Sequence, residues 1–111
     1  MDSMEAMAVP IKPGKLEAWT SWCAELTVPR KAEFDDMNQR LGLTTHASWH
    51  QANPDGSDLS IIVVDGPGAS AVLANIATSE HEFDTWFRSQ IVDIHSVDLA
   101  APPPPMPIRR L

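Results

Sequence analysis

The chain contains no tyrosine. A mechanism that needs a phenol hydroxyl is excluded unless a serine such as Ser48 or Ser60 supplies the hydroxyl instead. Only one cysteine is present, Cys23. That rules out an intrachain disulfide framework and a multi-cysteine zinc site. Basic residues are scarce: 8 Lys and Arg stand against 15 Asp and Glu, for a formal net charge of −7. A balance of that sign gives no footprint for nucleic acid, and an anionic membrane surface would repel it. No apolar run approaches the about 20 residues needed to span a bilayer. The opening Met1-Asp2-Ser3-Met4-Glu5 is acidic and lacks the basic-then-apolar order of a signal peptide. A cytoplasmic location is the expectation.

What is present fits one small folded domain. At 111 residues the chain has the size of a single domain and buries a modest core, which makes self-association a natural way to bury more. Met4–Ile11 reads as a strand, with Pro10 placing it at an edge or near a strand end. Lys12-Pro13-Gly14-Lys15 is a turn signal. Over Lys15–Gly42, residues Leu16, Trp19, Cys23, Leu26, Arg30, Phe34, Met37 and Leu41 recur at spacings of three and four, the period of one helix face. Pro29 interrupts that run and predicts a kink, or a fresh helix starting near Thr27–Pro29. Gly42 stops it.

Leu43–Ala52 reads as a second strand and Leu59–Val64 as a third, joined by the turn-rich Asn53–Ser57. The near-continuous apolar run of the third strand predicts a central position in the sheet. A helix is expected over Ala69–Ala77. Ser79 and Glu82 match a capping box for a further helix, whose apolar stripe holds Phe83, Trp86, Phe87, Ile91 and Ile94 and which ends near Ser96–Asp98. Pro102–Pro105 is polyproline-like. Met106–Leu111 reads as a short edge strand or a tail. The resulting order is βαββαβ, a ferredoxin-like α+β arrangement with both helices on one face of an antiparallel sheet. The other face must be solvated or covered by a partner, and the apolar Ile61–Val64 favours a partner.

With that order, the chain resembles the dimeric α/β-barrel superfamily, in which two ferredoxin-like subunits set their sheets face to face. It is similar in particular to a subgroup of small uncharacterised bacterial proteins. The matching segments are Pro10–Lys15, Pro29-Arg30 with Glu33, Arg40–Gly42, Trp49 with Gln51, and Phe83–Phe87 leading to His95 and Val97-Asp98-Leu99. The resemblance implies a homodimer, a barrel domain over residues 1–101, and a Pro-rich C-terminal segment over 102–111. The superfamily includes cofactor-independent monooxygenases of antibiotic biosynthesis, polyketide cyclases, and haem-binding or haem-degrading proteins. Fold alone does not choose among them. Many of the monooxygenases and cyclases use a pocket tyrosine, which this chain lacks.

The residues able to carry chemistry are few. On the strand Thr44–Gln51, His46, Ser48 and His50 share one face, and Thr45, Ala47 and Trp49 share the other. Imidazole is readily poised for proton transfer near neutral pH. His46 and His50 are separated by roughly 13 Å along the strand, so they bracket a ligand rather than act on one atom. A wet, hydrogen-bonded strand face is the structural alternative. His95 borders the apolar stripe of the last helix, either as a C-terminal cap or as an acid at a pocket mouth. Arg30, on the apolar stripe of the first helical run, would hold a ligand's carboxylate, enolate or phenolate, or else pair with Glu33 or Asp65. Trp19, Trp22, Trp49 and Trp86 offer flat walls for an aromatic or polycyclic ligand, or pack a plain core. Trp22 lies off the main stripe and could meet a second subunit.

Metal binding is weakly supported: no HExxH, no helical His pair and no cysteine cluster is present. Gly66-Pro67-Gly68 lacks the Lys-Ser/Thr of a phosphate loop. The expectation is a small-molecule enzyme without a cofactor. It would use His50 or His46 as a base for cyclisation, isomerisation or cofactor-free oxygenation of an apolar, aromatic or polyketide-like substrate. If the pocket lies between two sheets, His46 and His50 would face it. If it lies under the helices, Trp49 would. The alternatives are a non-catalytic ligand-binding or accessory dimer, and a haem-binding protein with His46, His50 or His95 as axial ligand.

Overall fold

A computed structural model describes residues 3–95, 97, 99 and 106–111. The elements are β1 (Ser3–Ile11), α1 (Leu16–Thr27), α2 (Lys31–Arg40), β2 (Thr45–Ala52), β3 (Asp58–Gly66), a 3₁₀ turn (Ala69–Ala71), α3 (Val72–Thr78) and α4 (Glu82–Ile94). The fold is α+β, with a three-stranded antiparallel sheet in the order β1-β3-β2. The central place falls to β3, as its apolar sequence predicts.

Register decides which residues meet the helices. Met7 pairs with Ile62 and Ser48 pairs with Ile62 from the other side; His46 pairs with Val64 and His50 with Ser60. Paired residues share a face, so Met7, Val9, Ser60, Ile62, Val64, His46, Ser48 and His50 all point one way. That is the helix side: Met7, Ile11 and Val64 join buried residues of every α-helix in one apolar core, including Trp22, Met37, Ile76 and Phe87. The opposite face carries Ala6, Ala8, Ile61, Val63 and Trp49 with no helix of the described residues over it, and Trp49 is 57% exposed.

The break at Pro29 is complete. α1 ends at Thr27, Val28 turns away at φ −127° and ψ −82°, and α2 restarts at Lys31. Proline disfavours helical backbone in the residue before it. Arg30 therefore sits at the start of α2, and the single stripe from Leu26 through Arg30 to Phe34 does not exist.

Two further expectations are corrected. Ser79 does not form a capping box with Glu82: the cap of α4 is His81, whose Nδ1 accepts from Phe83 N at 3.3 Å. α4 stops at Ile94, and His95 leaves it in extended backbone at φ −109°, ψ 152°, forming a β-bridge with Ile11. Among the described residues no strand follows α4, and residues 106–111 are irregular. The expected polyproline segment at Pro102–Pro105, with Ser96 and Asp98, lies outside the described residues.

The crossing from α2 into β2 is locked against the crossing from β3 to α3. Gly68 N donates to Gly42 O at 3.0 Å, and Thr44 N donates to Asp65 O at 2.8 Å. A Cβ on Gly68 would overlap Leu41 O, so this close backbone approach needs glycine.

Candidate functional site

Between the sheet and the helices lies a cleft of about 610 Å³. Its floor is the helix-facing side of the strands, with Met7, Val9, His46, Ser48, Ser60, Ile62 and Val64. Its roof comes from Trp19, Trp22, Cys23 and Leu26 of α1, Phe34 of α2, Leu73 and Ile76 of α3, and Phe87 and Ile91 of α4. Val97, Leu99, Met106 and Pro107 close one side. Among the described residues no Asp, Glu, Lys or Arg lines it. Such a volume and lining suit an ordinary small-molecule site. The pocket is thus under the helices, and the faces of β2 are the reverse of that expectation: the histidine face looks into the cleft region, and Trp49 looks away.

His46 lies on the cleft wall between aromatic rings. Its ring centroid is 5.1 Å from that of Phe34 and 6.1 Å from that of Phe87. Nδ1 lies 2.9 Å from Asn38 Oδ1. A carbonyl oxygen only accepts, so Nδ1 carries the proton and the neutral ring leaves its Nε2 lone pair free. Burial disfavours the charged ring and pushes its pKa down to about 4. His46 also borders a second, polar hollow of about 330 Å³, lined with Asp35, Asn38, Gln39, Thr44 and Thr45.

His95 is positioned by the end of α4. Its N–H continues the helix ladder to Ile91 O at 2.9 Å. Its Nδ1 lies 2.9 Å from Pro10 O and donates to it. The ring is 3% exposed and lines the cleft. Its pKa is lowered, first by burial and then by the Lys12 charge, while the Pro10 bond acts in the opposite sense. No hydrogen bond among the described residues engages Nε2 of either histidine. His46 pairs with Val64, and His95 docks at Pro10, which pairs with Leu59. The two rings stand near opposite ends of β3, roughly 15 Å or more apart, and cannot serve one atom.

Two residues that line the cleft each hold a buried polar atom with no hydrogen-bond partner among the described residues: Ser60 Oγ and Trp22 Nε1. Ser60 is 1% exposed and Trp22 is 7% exposed. Leaving such groups unpaired costs about 1–3 kcal/mol each, and native structures carry few of them. Comparison with protein-family models, with curated proteins and with solved structures finds no match to this chain.

The other sequence-derived candidates are distributed as follows. Trp19, Trp22 and Ser48 line the cleft, and Trp22 packs 4.9 Å from Phe87 within the core rather than at the surface. His50 does not line it; its Nε2 is 2.7 Å from Asp58 Oδ1, and its ring lies 6.0 Å from Trp19. Arg30 is also outside. Its guanidinium holds Glu33 through two bonds of 3.0 and 3.1 Å and lies 3.9 Å above the Trp86 ring. That is the ion-pair alternative, made possible by the phase reset at Pro29. Trp86 serves as the platform for Arg30 and not as a cleft wall.

Sequence reasoning missed Asp84. It is 0% exposed and takes two bonds from Arg40, at 2.7 and 2.8 Å, and a third from Ser79 Oγ at 2.6 Å. An acidic residue at the buried face of a helix was the available signal. Burial raises the Cys23 thiol, as expected of an inert cysteine. No group of three or more His, Cys, Asp or Glu able to hold a metal occurs among the described residues. His46 and His95 could each present one Nε2 to a haem iron.

Proposed function

We propose that this protein is a cofactor-independent small-molecule enzyme that binds an apolar, aromatic or polyketide-like substrate in the cleft under its helices. His95 is the base of this reading. The observation that carries it is the Nδ1–Pro10 O bond, which fixes the ring and its tautomer and leaves Nε2 as the lone pair in an apolar site. Nε2 would take a proton from carbon beside a carbonyl, with the electron pair passing to the carbonyl oxygen. Ser60 Oγ–H, unpaired near the same end of the cleft, would donate to the developing enolate. Return of the proton to another carbon completes an isomerisation. Attack of the enolate carbon on a second carbonyl, whose oxygen takes the proton back from His95, completes a cyclisation. Reaction with dioxygen, the oxidant, forms a carbon–oxygen bond to a peroxide that takes the same proton as a hydroperoxide. His46, with its pKa near 4, is a weak base at neutral pH and acts as a hydrogen-bond acceptor.

The test is deuterium uptake from D₂O into 2-tetralone, an apolar and easily enolised ketone, followed by proton NMR. The wild-type chain should accelerate uptake over buffer, and His95→Gln should remove the acceleration while His46→Gln keeps most of it. Binding of the ketone without acceleration would leave the second reading, a non-catalytic binding protein, which the weak basicity of His46 favours.

The finer architecture belongs to the same proposal. The order β1-β3-β2 with helices on one side supports a ferredoxin-like unit. The uncovered sheet face, with Trp49 57% and Met4 52% exposed, supports a second copy of the chain seated on it as in an α/β barrel.

A further inference from the structure

The cleft is chemically polar at two places and apolar between them. Near one end, Ser60 pairs in register with Val9, next to the Pro10 whose carbonyl holds His95. At the other, Phe87 stands 4.9 Å from Trp22 and 6.1 Å from His46. Ser60 and Val64, the register partner of His46, are four residues apart on β3, or roughly 13 Å. Met7, Ile62 and Leu26 lie on the walls. Each end therefore offers one hydrogen-bond donor without a partner among the described residues, Ser60 Oγ–H or Trp22 Nε1–H, and one imidazole acceptor.

Among the described residues the lining carries no charged side chain. An ionised group placed there would lose its hydration with no counter-charge among the described residues to meet it. A neutral carbonyl or hydroxyl would instead satisfy atoms that are unpaired.

We infer that the cleft selects an uncharged, elongated, largely apolar molecule, bearing an acceptor oxygen for Trp22 Nε1 at one end and a hydroxyl or carbonyl for Ser60 and His95 at the other. This rests on the reading of the cleft as a ligand site and adds the charge and polarity of the ligand. Carboxylates, phosphates and sulfates are rejected by the lack of any cation among the described residues of the wall.

Two matched probes test the charge. N-phenyl-1-naphthylamine is neutral, and 1-anilinonaphthalene-8-sulfonate is the same frame with a fixed anion. Fluorescence titration of the full chain should show the neutral probe binding at least about tenfold more tightly. A neutral probe with a ketone and a phenol, 4-hydroxychalcone, tests the two ends by calorimetry. Ser60→Ala and Trp22→Phe should each weaken it about three- to tenfold, while Ser60→Ala leaves the naphthylamine within about twofold. Ser60→Ala alone decides the point if Trp22→Phe fails to fold. Equal binding of the sulfonate, or no effect of Ser60→Ala on the chalcone, would overturn the inference and leave the ligand site standing. Failure of all three probes to bind would overturn both.

Discussion

Arg40 grips Asp84 with both ends of its guanidinium, Nη1 to Oδ2 at 2.7 Å and Nη2 to Oδ1 at 2.8 Å, across 44 residues of sequence. The pair ties the end of α2 to the first turn of α4. Arg40 also holds Asp36 at 2.8 Å, and Ser79 occupies a further lone pair of Asp84, so the buried carboxylate is well satisfied. Removing one partner of such a pair strands the other. Asp84→Ala is expected to cost about 3 kcal/mol, read as a lowered urea midpoint. The Arg40 guanidinium holds the Asp84 carboxyl below the usual carboxylate range. Its contribution is thus present above the unfolded value of about 3.9 and lost as pH falls through the lower folded value.

His46 gives stability in a different pH window. Its folded pKa, about 4, is below the unfolded value of about 6.5. The unfolded chain then binds the extra proton between those values, so stability is full above about pH 6.5 and falls as pH drops toward 4. The loss from this one ring is about 3 kcal/mol. The lowered pKa of His95 acts in the same direction. A His46→Gln chain should show a flatter stability curve over that window by thermal melts. NMR titration of the His46 ring should give a midpoint near 4; a midpoint near 6.5 would show a hydrated ring and remove the argument.

Ser60 should separate stability from ligand capture. With its Oγ unpaired among the described residues and 1% exposed, the hydroxyl is a burden on the empty fold. Ser60→Ala is expected to raise the stability of the ligand-free chain by about 1 kcal/mol. A lowered melting temperature would mean that the hydroxyl already has a partner.

The uncovered sheet face makes a prediction about mass. Ile61 and Val63 lie on it beside Trp49. Light scattering at micromolar concentration should give a dimer, and Ile61→Lys should give a monomer of unchanged secondary structure. A monomeric wild-type chain would end the barrel proposal.

The parts of the fold that local pattern controls were legible in the sequence. The apolar run Leu59–Val64 announced the central strand, and Pro29 announced the division of α1 from α2. The site was less legible, because alternation along β2 shows which residues share a face but not which face meets the helices. Trp49 outward and His46 inward invert what hydrophobicity alone suggests. His50 and His46 share that face, yet His50 is bound to Asp58 while His46 lies among phenylalanines. The Arg40–Asp84 pair joins segments too far apart in sequence for any spacing rule. His95 required knowing that α4 already ends at Ile94, since only extended backbone brings its ring to Pro10.

The four tryptophans occupy distinct surroundings: Trp19 and Trp22 on the cleft wall, Trp86 beneath the Arg30 guanidinium, and Trp49 on the open face. Because the chain has no tyrosine, its near-ultraviolet emission comes from indole alone. Replacing Trp49 and Trp86 with phenylalanine would leave only the two rings that border the cleft as light emitters. Occupancy could then be followed in an unlabelled chain by a quantum-yield change, with the orphan N–H of Trp22 shifting its emission colour when an acceptor arrives.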